Sequence, residues 1–234
     1  MKNKQLVILA GGKGSRLSGE TKHKPKPLVE LFNKTTILDI LIKSYLNEFN
    51  DILILAGYKS ELIIKHISKY YSNSHVRVAV ENKLAGTAGA LLEHSDALME
   101  NFILMNGDTW FDCDLGKLEF YKENSMAQLF LTPSQEISRY GAVKLEDQKY
   151  ISSFIEKEDV ANHEEGLINT GCYLINKKVL DFIQSSPCSL EIDVFPALVK
   201  ERFLEGRIAD GKFIDIGVPE TLEFARNNKE FFKI

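Results

Sequence analysis

The chain has 234 residues, 44% hydrophobic and 26% charged, with a formal net charge of −4. That length sustains a sizeable core without demanding a second domain, and the mild negative charge gives no global attraction for nucleic acid or an anionic membrane. No apolar run approaches the roughly 18 residues that span a bilayer, and the short apolar stretch ending at Ala10 suits a first strand better than a secretion signal.

In chain order, the apolar runs Leu6 to Ala10, Ile52 to Ala56, Val76 to Val80 and Phe102 to Met105 predict strands. Between them, apolar residues recur at helical spacing over 37–49, 62–70 and 88–98. This alternation predicts an α/β fold with a mostly parallel sheet covered by helices on both faces. After residue 125 the rhythm changes: 127–131, 140–145, 151–156 and 168–175 are strand-like, several joined by turns, and helical runs return at 177–184, 193–203 and 219–231. A single domain over 1–234 is expected, with a nucleotide-binding half over about 1–125 and an acceptor half over about 126–234. Cys113, Cys172 and Cys188 are odd in number and have no metal-type spacing, so free thiols in a reducing, cytoplasmic setting are expected.

The first strand runs directly into Ala10-Gly11-Gly12-Lys13-Gly14-Ser15-Arg16-Leu17. Open α/β sheets bind ligands beyond the carboxyl ends of their strands, and glycines there let backbone N–H groups approach an anion. Two phosphate-loop patterns are excluded. A dinucleotide fingerprint starting at Gly12 needs glycine where Leu17 stands, and a Walker-type loop starting at Gly14 needs lysine where Glu20 stands. What remains is a glycine loop carrying Arg16, followed by Lys22, Lys24 and Lys26, with Pro25 and Pro27 stiffening the backbone around Lys26.

This combination resembles the sugar-1-phosphate nucleotidylyltransferases, whose signature is a Gly-Gly-x-Gly-Ser/Thr-Arg-Leu loop followed by a Pro-Lys-Pro lysine. The resemblance extends from about residue 5 to 230 and implies a Rossmann-like, mixed, mostly parallel sheet flanked by helices, the GT-A-like nucleotidyltransferase fold. It implies that Ala10, Gly11, Gly12, Gly14 and Ser15 wrap a nucleoside triphosphate while Arg16 and Lys26 hold its phosphates in the catalytic role. It places Glu81, Gly86 and Thr87 at the base pocket. On local grounds the last two form either a turn that admits a flat base, with Thr87 capping a helix, or an ordinary strand-to-helix turn.

Asp108, in Asn106-Gly107-Asp108 after a buried strand, and Asp215, in Asp215-Ile216-Gly217, match the family's two metal carboxylates, implying Mg²⁺. Gly141, Glu156, Lys157 and Asn169 match its sugar-phosphate side. Asp112-Cys113-Asp114 imitates the Asp-x-Asp of glycosyltransferases and is expected to open a helix.

The implied reaction needs few parts. A sugar 1-phosphate is mostly dianionic at pH 7 and attacks the α-phosphorus without a general base, so catalysis is positioning plus positive charge. Segments 84–91, 189–191 and 213–219 look most like the manno-heptose 1-phosphate guanylyltransferases, whereas 19–27 looks like the glucose 1-phosphate cytidylyltransferases. GTP with a heptose or mannose phosphate is the favoured expectation and CTP the alternative. The rivals from other classes are a glycosyltransferase consuming a nucleotide sugar and a non-catalytic sugar-nucleotide sensor. The resemblance further implies a role in surface-polysaccharide precursor synthesis and admits a homo-oligomer. Charge and hydropathy lead to the expectation of no nucleic-acid or membrane partner, and the sequence shows no hexapeptide-repeat pattern of a β-helix.

Overall fold

A computed structural model describes residues 4–115, 119–135, 137–140, 142–155 and 165–232. Gly141, Glu156 and Lys157 lie outside the described residues. Strand β1 (Gln5–Ala10) leads through the glycine loop into a single turn, α1 (Ser18–Thr21). The hairpin of β2 (Glu30–Phe32) and β3 (Thr35–Thr36) delivers the chain to α2 (Ile37–Tyr45). Next come β4 (Asp51–Ala56), α3 (Ser60–Tyr70), β5 (Val76–Val80), α4 (Gly86–Glu93), β6 (Asn101–Asn106) and β7 (Thr109–Phe111). The second half contains β8 (Ala127–Ser134), α5 (Ile137–Tyr140), β9 (Ala142–Glu146), β10 (Tyr150–Ile155) and β11 (Gly166–Asn176). It closes with α6 (Phe195–Lys200), β12 (Leu204–Ile208), β13 (Phe213–Asp215) and α7 (Pro219–Asn227).

One nine-stranded sheet, ordered β5-β4-β1-β6-β11-β8-β12-β10-β9, runs through both halves. The four strands of the first half are parallel, as their helical crossovers require. The second half is different. β11 pairs antiparallel with both β6 and β8, and β10 pairs antiparallel with β12 and β9, leaving β8–β12 as the parallel pair there. The parallel character expected of the sheet is therefore concentrated in the N-terminal half, with β8–β12 the one parallel pair of the second half. For β9 and β10 the cause is local: Asp147 and Gln148 adopt φ of 51° and 56°, the left-handed pair of a tight hairpin, so these two strands join directly without a crossover helix.

Alternate residues of β1 face opposite layers. Leu6, Ile8 and Ala10 pack with the α2 and α3 side, and Val7 packs with α4 and α6. Both faces are covered, which is why the parallel strands read as continuous apolar runs.

The start of α2 carries a capping box in which the Thr36 hydroxyl accepts from Asp39 N–H and Asp39 accepts from Thr36 N–H. Asp39 also meets His66 Nε2 and the Tyr71 hydroxyl, each at 2.8 Å. Burial alone would raise the Asp39 carboxyl, but the bonds from His66 and Thr36 outweigh it and bring it from 3.8 to about 2. A depressed carboxyl contributes stability that is present above its unfolded pKa and is lost as pH falls through the folded one. Asp39 is therefore expected to supply about 2 kcal/mol at neutral pH, vanishing between about pH 4 and 2. Urea unfolding across that range should show a flatter acid limb for Asp39→Asn than for the wild type. Parallel limbs would contradict the assignment.

Candidate active site

A cleft of about 430 Å³ opens beyond the carboxyl ends of β1, β5 and β6, and the glycine loop forms one wall. Gly14 adopts φ +65°, and its carbonyl accepts from Leu17 N–H and the Thr21 hydroxyl, each at 3.0 Å. These bonds fold the loop back over the single turn that follows it. Arg16 is exposed at the cleft, and Ala10, Gly11, Gly12 and Ser15 line it with Gly14.

Lys26 reaches the same cleft from a 3₁₀ turn. Pro25 is extended, Leu28 N–H donates to the Pro25 carbonyl at 2.9 Å, and Val29 N–H donates to the Lys26 carbonyl at 3.0 Å. The prolines therefore aim the lysine as its sequence context predicts. Its stem packs on the loop: a Cβ added at Gly14 would lie 3.2 Å from Lys26 Cβ. The ammonium donates to Asp108 Oδ2 and stands 3.8 Å from Asp215 Oδ1.

The two aspartates meet because β7 pairs antiparallel with β13, setting Asp215 opposite Thr109. Ile216 N–H donates to the Asp108 carbonyl at 3.0 Å, and Gly217 N–H donates to Asp215 Oδ1 at 2.6 Å. Gly107 N–H donates to the Leu9 carbonyl at 2.8 Å, locking this corner to the end of β1. Two hard carboxylates converging on one cationic head form a donor set that suits a hard divalent cation, a Lys26 ammonium standing in for its charge. Among the described residues no cluster of three or more His, Cys, Asp or Glu side chains is arranged to hold a metal, so such a cation would draw its other ligands from phosphate oxygens and water.

At the opposite wall, the half-buried Glu81 carboxylate lies over Gly11, where an added Cβ would fall 1.9 Å from Glu81 Oε1. Burial pushes this carboxyl up, partly offset by Ala85 N–H, which donates to it at 3.3 Å. Gly86 and Thr87 both line the cleft, and only Thr87 departs from its local expectation. Gly86 adopts φ +78°, and its added Cβ would lie 2.4 Å from the Cys188 carbonyl oxygen. Close approach of protein backbone is what calls for glycine there. Thr87 does not cap α4, whose N-cap is Ala85. Its hydroxyl instead donates to Glu191 Oε2 at 2.9 Å and accepts from Leu190 N–H at 2.7 Å.

Asn169 sits behind this wall rather than among the residues lining it. Its Oδ1 accepts from Gly171 N–H at 2.9 Å and its Nδ2 donates to the Tyr173 hydroxyl at 3.0 Å, across a register shift in β11. Tyr173 in turn donates to Glu191 Oε1 at 3.2 Å. Burial holds the Tyr173 hydroxyl well above its ordinary pKa, so it remains a neutral donor. Asp112-Cys113-Asp114 opens no helix among the described residues: 112–115 are irregular, with Asp112 N–H donating to the Lys212 carbonyl at 2.9 Å. The three cysteines are free.

The family model for nucleotidyl transferases matches residues 5–230. The chain belongs to that family. This nucleotidyl transferase is 32% identical over 228 residues to the D-glycero-alpha-D-manno-heptose 1-phosphate guanylyltransferase of Campylobacter jejuni, an alignment covering 96% of this chain and 100% of that one. It is 33% identical over 227 residues to the mannose-1-phosphate guanyltransferase of Schizosaccharomyces pombe, covering 92% of this chain but only 61% of that relative's length. The crystal structure of HddC from Yersinia pseudotuberculosis superposes with a TM-score of 0.84 at 28% identity, covering 97% of this chain and 99% of that one. The same protein complexed with GMP-PN gives 0.81 at 29% identity.

Of the polar side chains lining the nucleotidyl transferase cleft, sequence reasoning gave no role to Asn106 and Glu191. Asn106 touches the left-handed Gly171 of β11, a contact across the sheet that no local pattern signals. Glu191 had a signal only in its likeness to the heptose enzymes, because apart from the nearby Ser189 hydroxyl its partners come from α4 and β11. No helix among the described residues is long and apolar enough to cross a membrane.

Proposed function

We propose that this nucleotidyl transferase is a guanylyltransferase that couples GTP to a heptose- or mannose-type sugar 1-phosphate and releases pyrophosphate. The convergence of Lys26, Asp108 and Asp215 beside the glycine loop carries the reading. The guanylyltransferase names of the bacterial and yeast relatives support it. They leave the glycosyltransferase and sensor alternatives without comparable support. The continuous sheet supports one catalytic domain, its first half taking the nucleotide and its second half the sugar phosphate.

In this scheme a phosphate oxygen of the sugar 1-phosphate bonds to the α-phosphorus as the bond from that phosphorus to the β-bridging oxygen breaks, and pyrophosphate leaves with that electron pair. The nucleophile is already ionised, so no side chain needs to accept a proton. The loop N–H groups from Gly11 to Ser15 cradle the phosphates, and Arg16 and Lys26 offset charge on the triphosphate. Asp108 and Asp215 would hold Mg²⁺, which when bound supplies further positive charge to the triphosphate. The family resemblance assigns Gly141, Glu156, Lys157 and Asn169 to the sugar-phosphate side, Lys157 to bind the incoming phosphate and Asn169 from behind the cleft wall. Free cysteines suit a cytoplasmic setting, and a role in surface-polysaccharide precursor synthesis follows from the proposed product.

Glu81 supports guanine over cytosine. An ionised carboxylate only accepts hydrogen bonds, and guanine offers two adjacent donors, N1–H and the 2-amino group, along one edge. The test is pyrophosphate release from four nucleoside triphosphates against heptose, mannose and glucose 1-phosphates. GTP is expected to lead, and Glu81→Gln should lower kcat/KM for GTP by about 10-fold or more, the value of a charge-assisted bond. A lead for CTP would replace this reading with the cytidylyltransferase one.

A further inference from the structure

The Lys26 ammonium stands where a cation serving Asp108 and Asp215 would have to be. It donates to Asp108 Oδ2 and lies 3.8 Å from Asp215 Oδ1, with its side chain only 8% exposed. Glycines leave it this room: a Cβ at Gly217 would come within 3.0 Å of Nζ, and Gly14 receives the stem. The head group is therefore a placed counter-ion and not a mobile surface charge. Two cations cannot share one pair of carboxylates without strong mutual repulsion in a partly desolvated cleft.

We propose that Lys26 is an internal counter-ion that excludes a divalent cation from Asp108 and Asp215 until a triphosphate binds. The phosphates then take over the ammonium and free the carboxylates for the metal. This rests on the reading of Asp108 and Asp215 as the metal carboxylates. Metal and nucleotide are coupled through one side chain, and the coupling is reciprocal: each raises the affinity for the other by the same factor.

The probe is Mn²⁺ alone, its free concentration followed by electron paramagnetic resonance as it is titrated into nucleotide-free protein. The wild type should bind it weakly. Lys26→Met, which keeps the apolar stem and removes the charge, should bind it at least ~10-fold more tightly, a factor typical of coupled sites. The gain should vanish in Lys26→Met/Asp108→Asn. Unchanged or weaker binding by Lys26→Met overturns the proposal. If circular dichroism shows that variant misfolded, Lys26→Gln carries the same expectation.

The underlying reading is tested separately by Mn²⁺ binding to the wild type and to Asp108→Asn with GTP present and no sugar phosphate. Unchanged binding by Asp108→Asn removes the metal assignment itself. Lost binding there, with no gain in Lys26→Met, removes the counter-ion alone.

Discussion

Lys26→Ala should reduce pyrophosphate release at least ~10²-fold, the range seen when one preorganised charge donor is removed from an active site. The reason lies in what surrounds the ammonium. It is held beside Asp108 and Asp215 at the cleft, and in the proposed reaction its removal takes away the cation that the triphosphate would engage. Both KM for the triphosphate and kcat should suffer, because in the proposed reaction the charge serves binding and the departing pyrophosphate alike. Lys26→Arg should recover only part of the loss. A planar guanidinium needs more room than a point-like ammonium, and a mere Cβ at Gly217 would already lie 3.0 Å from Nζ. A turnover near that of the wild type in Lys26→Ala, measured by pyrophosphate release on a folded sample, would remove Lys26 from the catalytic role.

The second large effect is expected at Gly86, and here stability and binding move together. Cys188 clamps the start of α4: its carbonyl accepts from Ala88 N–H at 3.0 Å and Gly89 N–H at 3.3 Å, while its N–H donates to the Ala85 carbonyl at 2.8 Å. Gly86 passes beneath this clamp at φ +78°, and an alanine Cβ would lie 2.4 Å from the Cys188 oxygen and 2.9 Å from its carbon. The neighbour is backbone and cannot swing aside. Left-handed strain of roughly 1–2 kcal/mol plus at least one lost bond of about 1 kcal/mol gives about 3 kcal/mol for Gly86→Ala. For a chain of this size that corresponds to a fall in Tm of roughly 6–12 °C. Displacing Cys188 also pulls on Leu190 and Glu191, which are tied to Thr87, so nucleotide affinity should drop at least ~10-fold by the same disturbance. A melting temperature within about 2 °C of the wild type would show that the clamp relaxes freely, against the argument from its rigidity.

The contrast between these two sites shows what local sequence can carry. Lys26 was legible because its cause is local: two flanking prolines set the backbone, and the glycine loop lies about ten residues earlier. Gly86 stood out as a glycine, but its reason, the Cys188 carbonyl, comes from a distant part of the chain. Thr87 misled in the same way. A threonine at a helix start has a strong local preference for capping, and tertiary partners on the Leu190–Val194 turn took its hydroxyl instead.

The amino-acid sequence by itself determined the parallel N-terminal half, the glycine loop after β1 and the lysine aimed at it. Each of these follows from hydrophobic periodicity or from the backbone restrictions of glycine and proline, which act over a few residues. Only the tertiary structure decided that β11 lies between β6 and β8, joining the two halves through antiparallel pairs. It also decided that β7 and β13 bring Asp108 and Asp215 to the same ammonium. Strand order and side-chain convergence depend on which surfaces bury one another across the whole chain, and no window of neighbouring residues contains that information.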